Sequence, residues 1–272
     1  MSSRFFDQID WSQAWFETVR PAAMQLVAAP EWRPALNRMA QEMHLQNHRS
    51  LPTQFIPQED LPEGVAYEAH ISTTGNVPTR ENLHDFFNAL VWLTFPRIKR
   101  QLNALQAAQI AELGIGKSRG PARDAATIFD ENAALLVVEN SADGDALVAA
   151  LRQHQWTAAF IDHRAQFGVH AEVLSFGHAL MEKLVQPYKA ITAHSWLVRV
   201  DADYFSLSTP ERYVLIDQLV TAQLQEQPLT TAGYTPLPVL GIPGWWVTQD
   251  LNFYQDTQVF RPARQNKAEQ AA

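Results

Sequence analysis

The amino-acid sequence predicts an α+β fold: a helix-rich single domain with a small, mostly antiparallel sheet and an extended, proline-rich C-terminal segment. Several stretches carry apolar residues at helical spacing, while a few shorter stretches are apolar or alternate with polar residues. The two kinds of stretch do not follow each other regularly, which argues against a repeating strand–helix architecture. No change of composition marks a linker, so we expect one globular domain over residues 1–264 and a polar, frayed tail over residues 265–272.

Apolar residues three and four positions apart predict seven helices, and proline or glycine marks several of their ends. Pro21 should kink the first helix, Thr79 should cap the third, and Gly114 should end the fourth. Pro210 suits the first turn of the last helix. The predicted helices span residues 11–28, 31–45, 80–95, 97–113, 145–153, 171–185 and 210–225.

Short strands are predicted where apolar residues alternate with polar ones or run together. Asp130-Glu131-Asn132 is typical of the turn of a hairpin. Residues 49–64 hold three prolines and are predicted to form a loop, and the chain after Pro228 should wrap over the body as an extended segment. The predicted strands lie at residues 65–71, 128–129, 135–138 and 193–200.

The composition excludes several classes of protein. A net charge of -8 argues against a general nucleic-acid surface, so no nucleic acid is expected as a partner; a local basic patch at Arg97, Lys99 and Arg100 stays open. The absence of cysteine rules out disulfides, thiolate catalysis and cysteine-ligated metal centres. The most apolar run, residues 83–95, is shorter than the roughly 20 residues of a membrane span, so no membrane is expected as a partner. The first residues lack the basic start and apolar run of an export signal, so we expect a cytoplasmic protein, and the oligomeric state stays open.

The helix predicted over residues 80–95 is apolar almost all round, with one exception. Glu81, His84, Asp85 and Asn88 fall at i, i+3, i+4 and i+7 and therefore share one face. Burying such groups without partners costs roughly 1–3 kcal/mol each, so this stripe is an exposed edge, a satisfied buried network or a functional site. As a site, His84 and Asp85 would be catalytic and Asn88 would bind substrate. Glu81, His84 and Asp85 could also hold a divalent metal, and the identity of any cofactor stays open.

A second predicted helix, over residues 171–185, repeats this arrangement with His178 and Glu182 on one face. Gly177 costs a helix near 1 kcal/mol relative to alanine, and it would allow another backbone to approach beside His178. The alternative is an ordinary packing glycine beside a solvated histidine. If the two polar faces meet, His178 and Glu182 join His84 in a catalytic site.

Two arginines flank a glycine and a proline in the segment between these two helices. Arg119 and Arg123 could grip a carboxylate or a phosphate in a bidentate manner, so we predict that both bind a small anionic substrate. Asp130 and Glu131 would form an ordinary surface turn, or they would orient His84 or hold a metal. The sequence contains no phosphate loop, metalloprotease, EF-hand or dinucleotide-binding motif.

Five segments stand in the order NLHDFFNALVWLTFPRIKRQLN, RGPARDAATIFDENAALLVV, FGHALMEKL, ITAHSWLV and PLPVLGIPGWW. Together they resemble the bacterial family known as domain of unknown function 3025, over roughly residues 10–264. The resemblance implies a single-domain bacterial protein and assigns no catalytic role, because no activity is established for that family. The doublet His84-Asp85 is similar to that of the metal-dependent HD phosphohydrolases, but the further histidine and aspartate of that family are not identifiable here.

Three hypotheses on function are open at this point. The first is a hydrolase of a small anionic or phosphorylated substrate, with a histidine and carboxylate site between two helices. The second is a non-catalytic protein that binds a small molecule or a peptide in a groove lined by the C-terminal prolines and by Trp245 and Trp246. The third is a structural or assembly component with a large exposed apolar patch. Convergence of His84, His178 and the arginines on one cavity would favour the first hypothesis.

Overall fold

The helices and strands mostly follow the apolar pattern of the sequence. The computed structural model describes residues 4–113 and 121–263, and ten α-helices and six strands lie within them. The helices are α1 (Arg20–Ala28), α2 (Trp32–Glu42), α3 (Tyr67–Thr74), α4 (Leu83–Thr94), α5 (Pro96–Leu113), α6 (Pro121–Asn132), α7 (Ala142–Arg152), α8 (His178–Lys183), α9 (Thr209–Glu226) and α10 (Leu251–Tyr254). The strands are β1 (Gln54–Pro57), β2 (Asn76–Thr79), β3 (Ala133–Glu139), β4 (Ala171–Ser175), β5 (Thr192–Val200) and β6 (Thr235–Pro238).

The larger sheet has the strand order β4-β3-β5-β6, with β3 near its centre. The first six residues of β3 are apolar and buried, as a strand covered on both faces requires. β3 pairs antiparallel with β4 and parallel with β5, so that Ala133 lies opposite His194. β5 pairs antiparallel with β6. The helix-rich α+β fold with a small, mostly antiparallel sheet is therefore confirmed.

Helix α4 places the first polar stripe. Its residues 85–93 are all buried, and it packs against α8 and α5. The cap of this helix is Asn82 rather than the predicted Thr79: the side-chain oxygen of Asn82 accepts from the backbone N–H of Asp85 at 2.9 Å. This cap fixes the first turn of α4, in which His84 lies.

The strand predicted at residues 65–71 is wrong. Helix α3 begins at Tyr67 and ends at Gly75, which adopts the left-handed conformation with φ of 79°. A Cβ atom at Gly75 would lie 2.3 Å from the carbonyl oxygen of Pro52, so glycine is required there. Strand β2 follows at once and pairs in parallel with β1, which lies inside the predicted loop over residues 49–64. The alternation of apolar and polar residues over seven positions predicted a strand, but it is a weaker signal than a glycine that ends a helix.

Two further predictions are wrong at boundaries between helix and strand. Helix α6 continues without a turn to the first residue of β3, so Asp130 and Glu131 lie in its last turn. The helix predicted over residues 171–185 is strand β4 followed by the short α8. The break falls at Gly177, where a Cβ atom would lie 2.5 Å from the carbonyl oxygen of Glu131. The predicted close backbone approach beside His178 is thus confirmed, at the start of a helix rather than inside one.

The two ends of the described chain pack on the body through aromatic side chains. The first predicted helix is a short 3-10 turn at Ala14–Phe16 followed by α1, in which Pro21 occupies the first turn and causes no kink. In the C-terminal segment Phe260 is buried, and the indole N–H of Trp156 donates to the carbonyl of Arg261 at 2.7 Å.

The remaining long elements agree with the sequence. Helices α2, α5, α7 and α9 and strand β5 lie where they are predicted, within a few residues at each end. Gly114 and the tail over residues 265–272 fall outside the described residues. None of the described helices combines the length and the apolar character that crossing a bilayer would require.

Candidate functional site

A cavity of about 480 Å³ is lined by residues of α3, α4, α5, α6 and α8 and by the loops before α3 and α4. We call it the charged cavity, because most of its lining side chains are polar or charged. Those with functional groups are Gln58, Tyr67, Glu68, Arg80, His84, Asp85, Asn88, Gln106, Arg123, Thr127, Asp130, Glu131 and His178. His84, His178 and Arg123 thus line one cavity, whereas Arg119 lies outside the described residues.

Glu182, His84 and His178 form a chain of hydrogen bonds at one wall of the charged cavity. Nδ1 of His84 lies 2.9 Å from Oε2 of Glu182, and Nε2 of His84 lies 3.0 Å from Nε2 of His178. His178 and Glu182 are one turn apart on α8, so both reach the same residue of α4. Because an ionised carboxylate can only accept, His84 donates from Nδ1, and in a neutral His84 the Nε2 atom accepts the N–H of His178.

His178 is the buried member of this chain. Its side chain is 6% exposed, and burial lowers its pKa to about 4, with Asp130 acting in the opposite direction and Lys99 in the same direction. Its Nδ1 lies 3.9 Å from Oδ2 of Asp130 and has no hydrogen-bond partner among the described residues. The side chains of His84 and Glu182 are 32% and 40% exposed. The chain therefore runs from a buried neutral imidazole to a pair that solvent can reach.

A buried ion pair lies behind the histidines. The side chains of Lys99 and Asp130 are 5% and 11% exposed, and the Lys99 ammonium donates to Oδ1 of Asp130 at 2.5 Å. Burial by itself would raise the pKa of Asp130, but the Lys99 ammonium outweighs this effect and holds the pKa below its ordinary value. Asp130 therefore stays ionised. The sequence left open a local basic patch that includes Lys99. Lys99 does not contribute to a basic surface, because its ammonium is buried and paired.

Asn88 connects the ion pair to the wall of the cavity. Nζ of Lys99 lies 2.8 Å from Oδ1 of Asn88, and Nδ2 of Asn88 lies 3.1 Å from the hydroxyl of Tyr67. An ammonium can only donate, which fixes the amide with its oxygen toward Lys99 and its nitrogen toward Tyr67. Asn88 thus positions Tyr67, and the substrate contact predicted for it stays a prediction.

Glu68 and Tyr67 are cavity residues that the sequence interpretation missed. Glu68 is half-buried, and its Oε2 accepts from Nδ2 of Asn103 at 2.7 Å. Burial raises the pKa of Glu68, although Lys99 opposes the shift. The cavity therefore holds two carboxyl groups whose pKa values are shifted in opposite directions: that of Glu68 is raised by burial and that of Asp130 is lowered by Lys99. The signal that could have found both residues is Gly75, because a helix that ends there includes them.

The predicted metal ligands Glu81, His84 and Asp85 are not brought together. Asp85 binds the guanidinium of Arg80 in a bidentate manner, with distances of 3.0 and 2.9 Å. Glu81 lies 3.6 Å from Arg33 and does not line the cavity. In the part of the chain that the structure describes, no three histidine, aspartate or glutamate side chains are arranged to hold a metal ion. Asp85 organises the first turn of α4 with Arg80, whereas His84 contacts both Glu182 and His178.

Arg123 adds positive charge to the other side of the cavity. Within residues 4–113 and 121–263 it forms no ion pair, whereas the second cavity arginine, Arg80, is engaged by Asp85. A guanidinium without a carboxylate partner retains its donors for a bound anion.

A second cavity of about 390 Å³, here called the C-terminal groove, lies elsewhere on the molecule. Trp15, Trp245, Trp246 and Val247 line it, together with Phe16 and Leu184. It shares no lining residue with the charged cavity. Val247 is 99% exposed, and the rings of Trp15 and Trp245 lie 6.3 Å apart. Trp245 and Trp246 line it as the binding-protein hypothesis predicts, but the C-terminal prolines do not, and Asp10 and Gln13 add polar groups to its wall.

The chain belongs to the family described as Protein of unknown function (DUF3025), whose family model matches residues 53–264. The resemblance found in the sequence is thereby confirmed. No curated protein and no solved structure matches the chain. Every residue that lines the charged cavity falls inside the matched region, whereas Trp15 and Phe16 of the C-terminal groove precede it. The geometry of the site is therefore the evidence on function.

Proposed function

We propose that the protein is a hydrolase that acts on a small anionic or phosphorylated substrate in the charged cavity. The observation that carries the proposal is the Glu182–His84–His178 chain, which places an oriented imidazole at the wall of a cavity that also holds a carboxyl group of raised pKa. The groups behind this wall support a function, because His178, Lys99 and Asp130 are almost completely buried and burying such groups costs stability.

His84 acts as the general base. Glu182 holds its Nδ1 proton and stabilises the imidazolium that forms when Nε2 takes a proton from water. In the free protein, Nε2 accepts from His178, and a water molecule or a substrate hydroxyl that enters the cavity competes for this lone pair. Catalytic hydrogen bonds are commonly rearranged in this way when substrate binds.

Glu68 acts as the general acid. Because burial raises its pKa, Glu68 retains its proton to a higher pH than an ordinary glutamate. It can therefore protonate the leaving group while His84 activates water. Arg123 binds the anionic group of the substrate, and Arg119 is proposed to assist it from outside the described residues.

The test uses three chromogenic esters: p-nitrophenyl phosphate, mono-p-nitrophenyl succinate and the neutral p-nitrophenyl acetate. We expect at least one of the two anionic esters to be hydrolysed faster than the acetate. His84→Asn should lower kcat/KM by about 10²- to 10⁴-fold, the usual contribution of a general base. Arg123→Ala should raise KM for the anionic ester and leave the acetate unchanged.

His170→Asn is the matched control for His84→Asn. His170 also pairs with a glutamate, through Nδ1 and Oε2 of Glu139 at 2.6 Å, but it does not line the charged cavity. This variant should retain wild-type rates. A protein that hydrolyses none of the three esters, or a His84→Asn variant with undiminished rates, contradicts the proposal.

As a second candidate function, we propose that the C-terminal groove binds a small apolar molecule or a peptide without catalysis. The observation in its favour is that Trp245 and Trp246 line a concave surface that shares no lining residue with the charged cavity. A substitution at Val247, on the wall of this groove, tests the proposal through the binding of an apolar dye.

We also propose that the protein acts in the bacterial cytoplasm. The resemblance of the sequence to a bacterial family supports this proposal. Fractionation of cells that express an epitope-tagged chain tests it, and recovery of the chain in the periplasmic or membrane fraction contradicts it.

A further inference from the structure

The hydroxyl of Tyr67 is held in one hydrogen-bonding orientation by a chain of donors that starts at a buried cation. The ammonium of Lys99 donates to the oxygen of Asn88, and the nitrogen of Asn88 then donates to the oxygen of Tyr67. The direction of both bonds is fixed, because an ammonium has no lone pair to offer. The oxygen of Tyr67 is therefore an acceptor toward Asn88.

The proton of Tyr67 is left without an acceptor in the described part of the chain, where the bond from Asn88 is the one hydrogen bond that this hydroxyl makes. Tyr67 is partly exposed and lines the charged cavity, together with His84 and Glu68. A tyrosine hydroxyl has one proton to donate. Because Asn88 occupies the oxygen of Tyr67 as an acceptor, the proton of Tyr67 can be donated to a molecule bound in the cavity. Successive hydrogen bonds of this kind also polarise one another, so the positive charge of Lys99 strengthens Tyr67 as a donor.

We propose that Tyr67 donates to the oxyanion that forms on a carbonyl substrate, and that the substrate of the charged cavity is an ester or amide of a carboxylic acid. This inference rests on the proposed hydrolase function and narrows its substrate class. A single neutral hydroxyl suits a transition state in which charge collects on one oxygen, as in acyl transfer. Phosphoryl transfer spreads charge over three oxygens and usually requires metal ions or several cations.

Residues of the charged cavity can supply each proton transfer that hydrolysis of an ester or amide requires. Water attacks the carbonyl carbon, its proton passes to His84, and the electron pair of the C=O bond moves onto the oxygen that accepts from Tyr67. The intermediate then re-forms the C=O bond, the bond to the leaving group breaks, and Glu68 supplies the proton that the leaving group takes up. Exchange with solvent then removes the extra proton from His84 and returns one to Glu68. Burial raises the pKa of Tyr67 well above its ordinary value, so the hydroxyl keeps the proton it must donate.

The test measures binding of p-nitrophenolate, an oxyanion whose absorbance reports its ionisation state and which needs no turnover. The wild-type protein should bind the phenolate in preference to the neutral phenol. Tyr67→Phe should weaken phenolate binding about tenfold or more, the usual effect of losing one hydrogen bond to a charged group. With mono-p-nitrophenyl succinate as substrate, the same variant should lower kcat by about 10²- to 10³-fold with little change in KM. Tyr188→Phe, at a tyrosine that is 56% exposed and outside the cavity, is the matched control and should change neither quantity.

A second variant separates hydrogen bonding from folding. Asn88→Asp retains the hydroxyl of Tyr67 and the contact with Lys99, but it offers Tyr67 an acceptor in place of a donor. The tyrosine proton is then drawn away from the cavity, so phenolate binding should fall and adding Tyr67→Phe to Asn88→Asp should weaken it no further. If the new carboxylate acted by repulsion alone, Tyr67→Phe would still weaken binding in the Asn88→Asp protein.

Equal affinity of the wild-type protein and Tyr67→Phe for p-nitrophenolate overturns the assignment, whatever the esterase assays show. A wild-type protein that does not bind the probe overturns it as well. Phenolate binding that depends on Tyr67, in a protein that hydrolyses no ester, refutes the hydrolase and leaves an oxyanion-binding site.

Discussion

The charged cavity and the C-terminal groove have similar volumes, about 480 and 390 Å³, but their walls are held in different ways. In the charged cavity, groups from five helices are fixed by ionic and hydrogen-bonded contacts, and Lys99 and Asp130 are almost completely buried. In the C-terminal groove, aromatic and aliphatic side chains from both ends of the described chain lie against each other, and Val247 is fully exposed.

This difference indicates which of the two cavities has a chemical function. A groove between aromatic side chains arises wherever a terminal segment packs on a body, because apolar surface is buried without regard to direction. A buried ion pair needs defined partners and is often no more stabilising than apolar residues of the same size. Placing charges in the charged cavity costs stability, and this cost is therefore an argument for a function there. Substitutions in either cavity test this difference.

The largest expected effect is on stability, from Lys99→Met. This change leaves the carboxylate of Asp130 buried without its cation and Asn88 without its donor, so we expect a loss of about 3–5 kcal/mol in the free energy of unfolding. Urea denaturation at neutral pH measures it. Adding Asp130→Asn to Lys99→Met removes the unpaired charge and should recover part of the loss.

The matched control is Lys189→Met, in the C-terminal region. Lys189 pairs with Asp256 at 2.7 Å, but the two side chains are 29% and 35% exposed. Such a pair contributes about 0–1 kcal/mol, with a small addition from contact of Lys189 with the ring of Phe253. If Lys99→Met destabilises the protein no more than Lys189→Met, the two regions do not differ in the way described.

The charged cavity also shows how far the sequence leads. Helical spacing and apolar runs are local signals, so the fold class, the stripe on α4 and the facing pair His178 and Glu182 could all be predicted. Lys99 could not be placed, because its partner Asp130 is 31 residues away and no spacing rule relates the two. Burial, which turns a surface-like lysine into part of an ion pair, is a property of the packed structure.

Tyr67 and Glu68 were missed for a different reason. Their segment alternates like a strand, and the local pattern favours that interpretation until the glycine that ends α3 is given more weight. The stop at Gly75 depends in turn on the backbone of Pro52 in another element, which the sequence does not bring near. The site was therefore predictable where its residues share a helix, and not where strand and helix signals compete.

A smaller effect on stability is expected from the titration of His178. Its pKa is about 4 in the folded protein and near 6.5 in an unfolded chain, so between these values the unfolded chain binds more protons. Stability should therefore fall as the pH is lowered from about 6.5 to 4, by about 3 kcal/mol from this group. Glu68, whose pKa is raised, contributes in the opposite sense as the pH falls.

The measurement is the free energy of unfolding of the wild-type protein and of His178→Gln at several pH values in this window. The difference between the two should shrink in acid, because the variant lacks the group whose protonation favours unfolding. Parallel pH profiles contradict the buried, neutral state of His178 and with it the direction of the hydrogen bond to His84.

The smallest effect on stability is expected at the rim of the C-terminal groove, where it tests the second candidate function. Val247→Asp changes a fully exposed side chain, so the free energy of unfolding should stay within about 0.5 kcal/mol of the wild-type value. If the groove binds apolar ligands, the same change should weaken binding of the neutral dye Nile red about fivefold, because one aliphatic wall is lost. Val169→Asp, at a valine that is 54% exposed and outside the groove, should leave dye binding unchanged. Equal dye binding by both variants and the wild-type protein would mean that the groove is a by-product of packing, and it would leave the charged cavity as the site where function is to be sought.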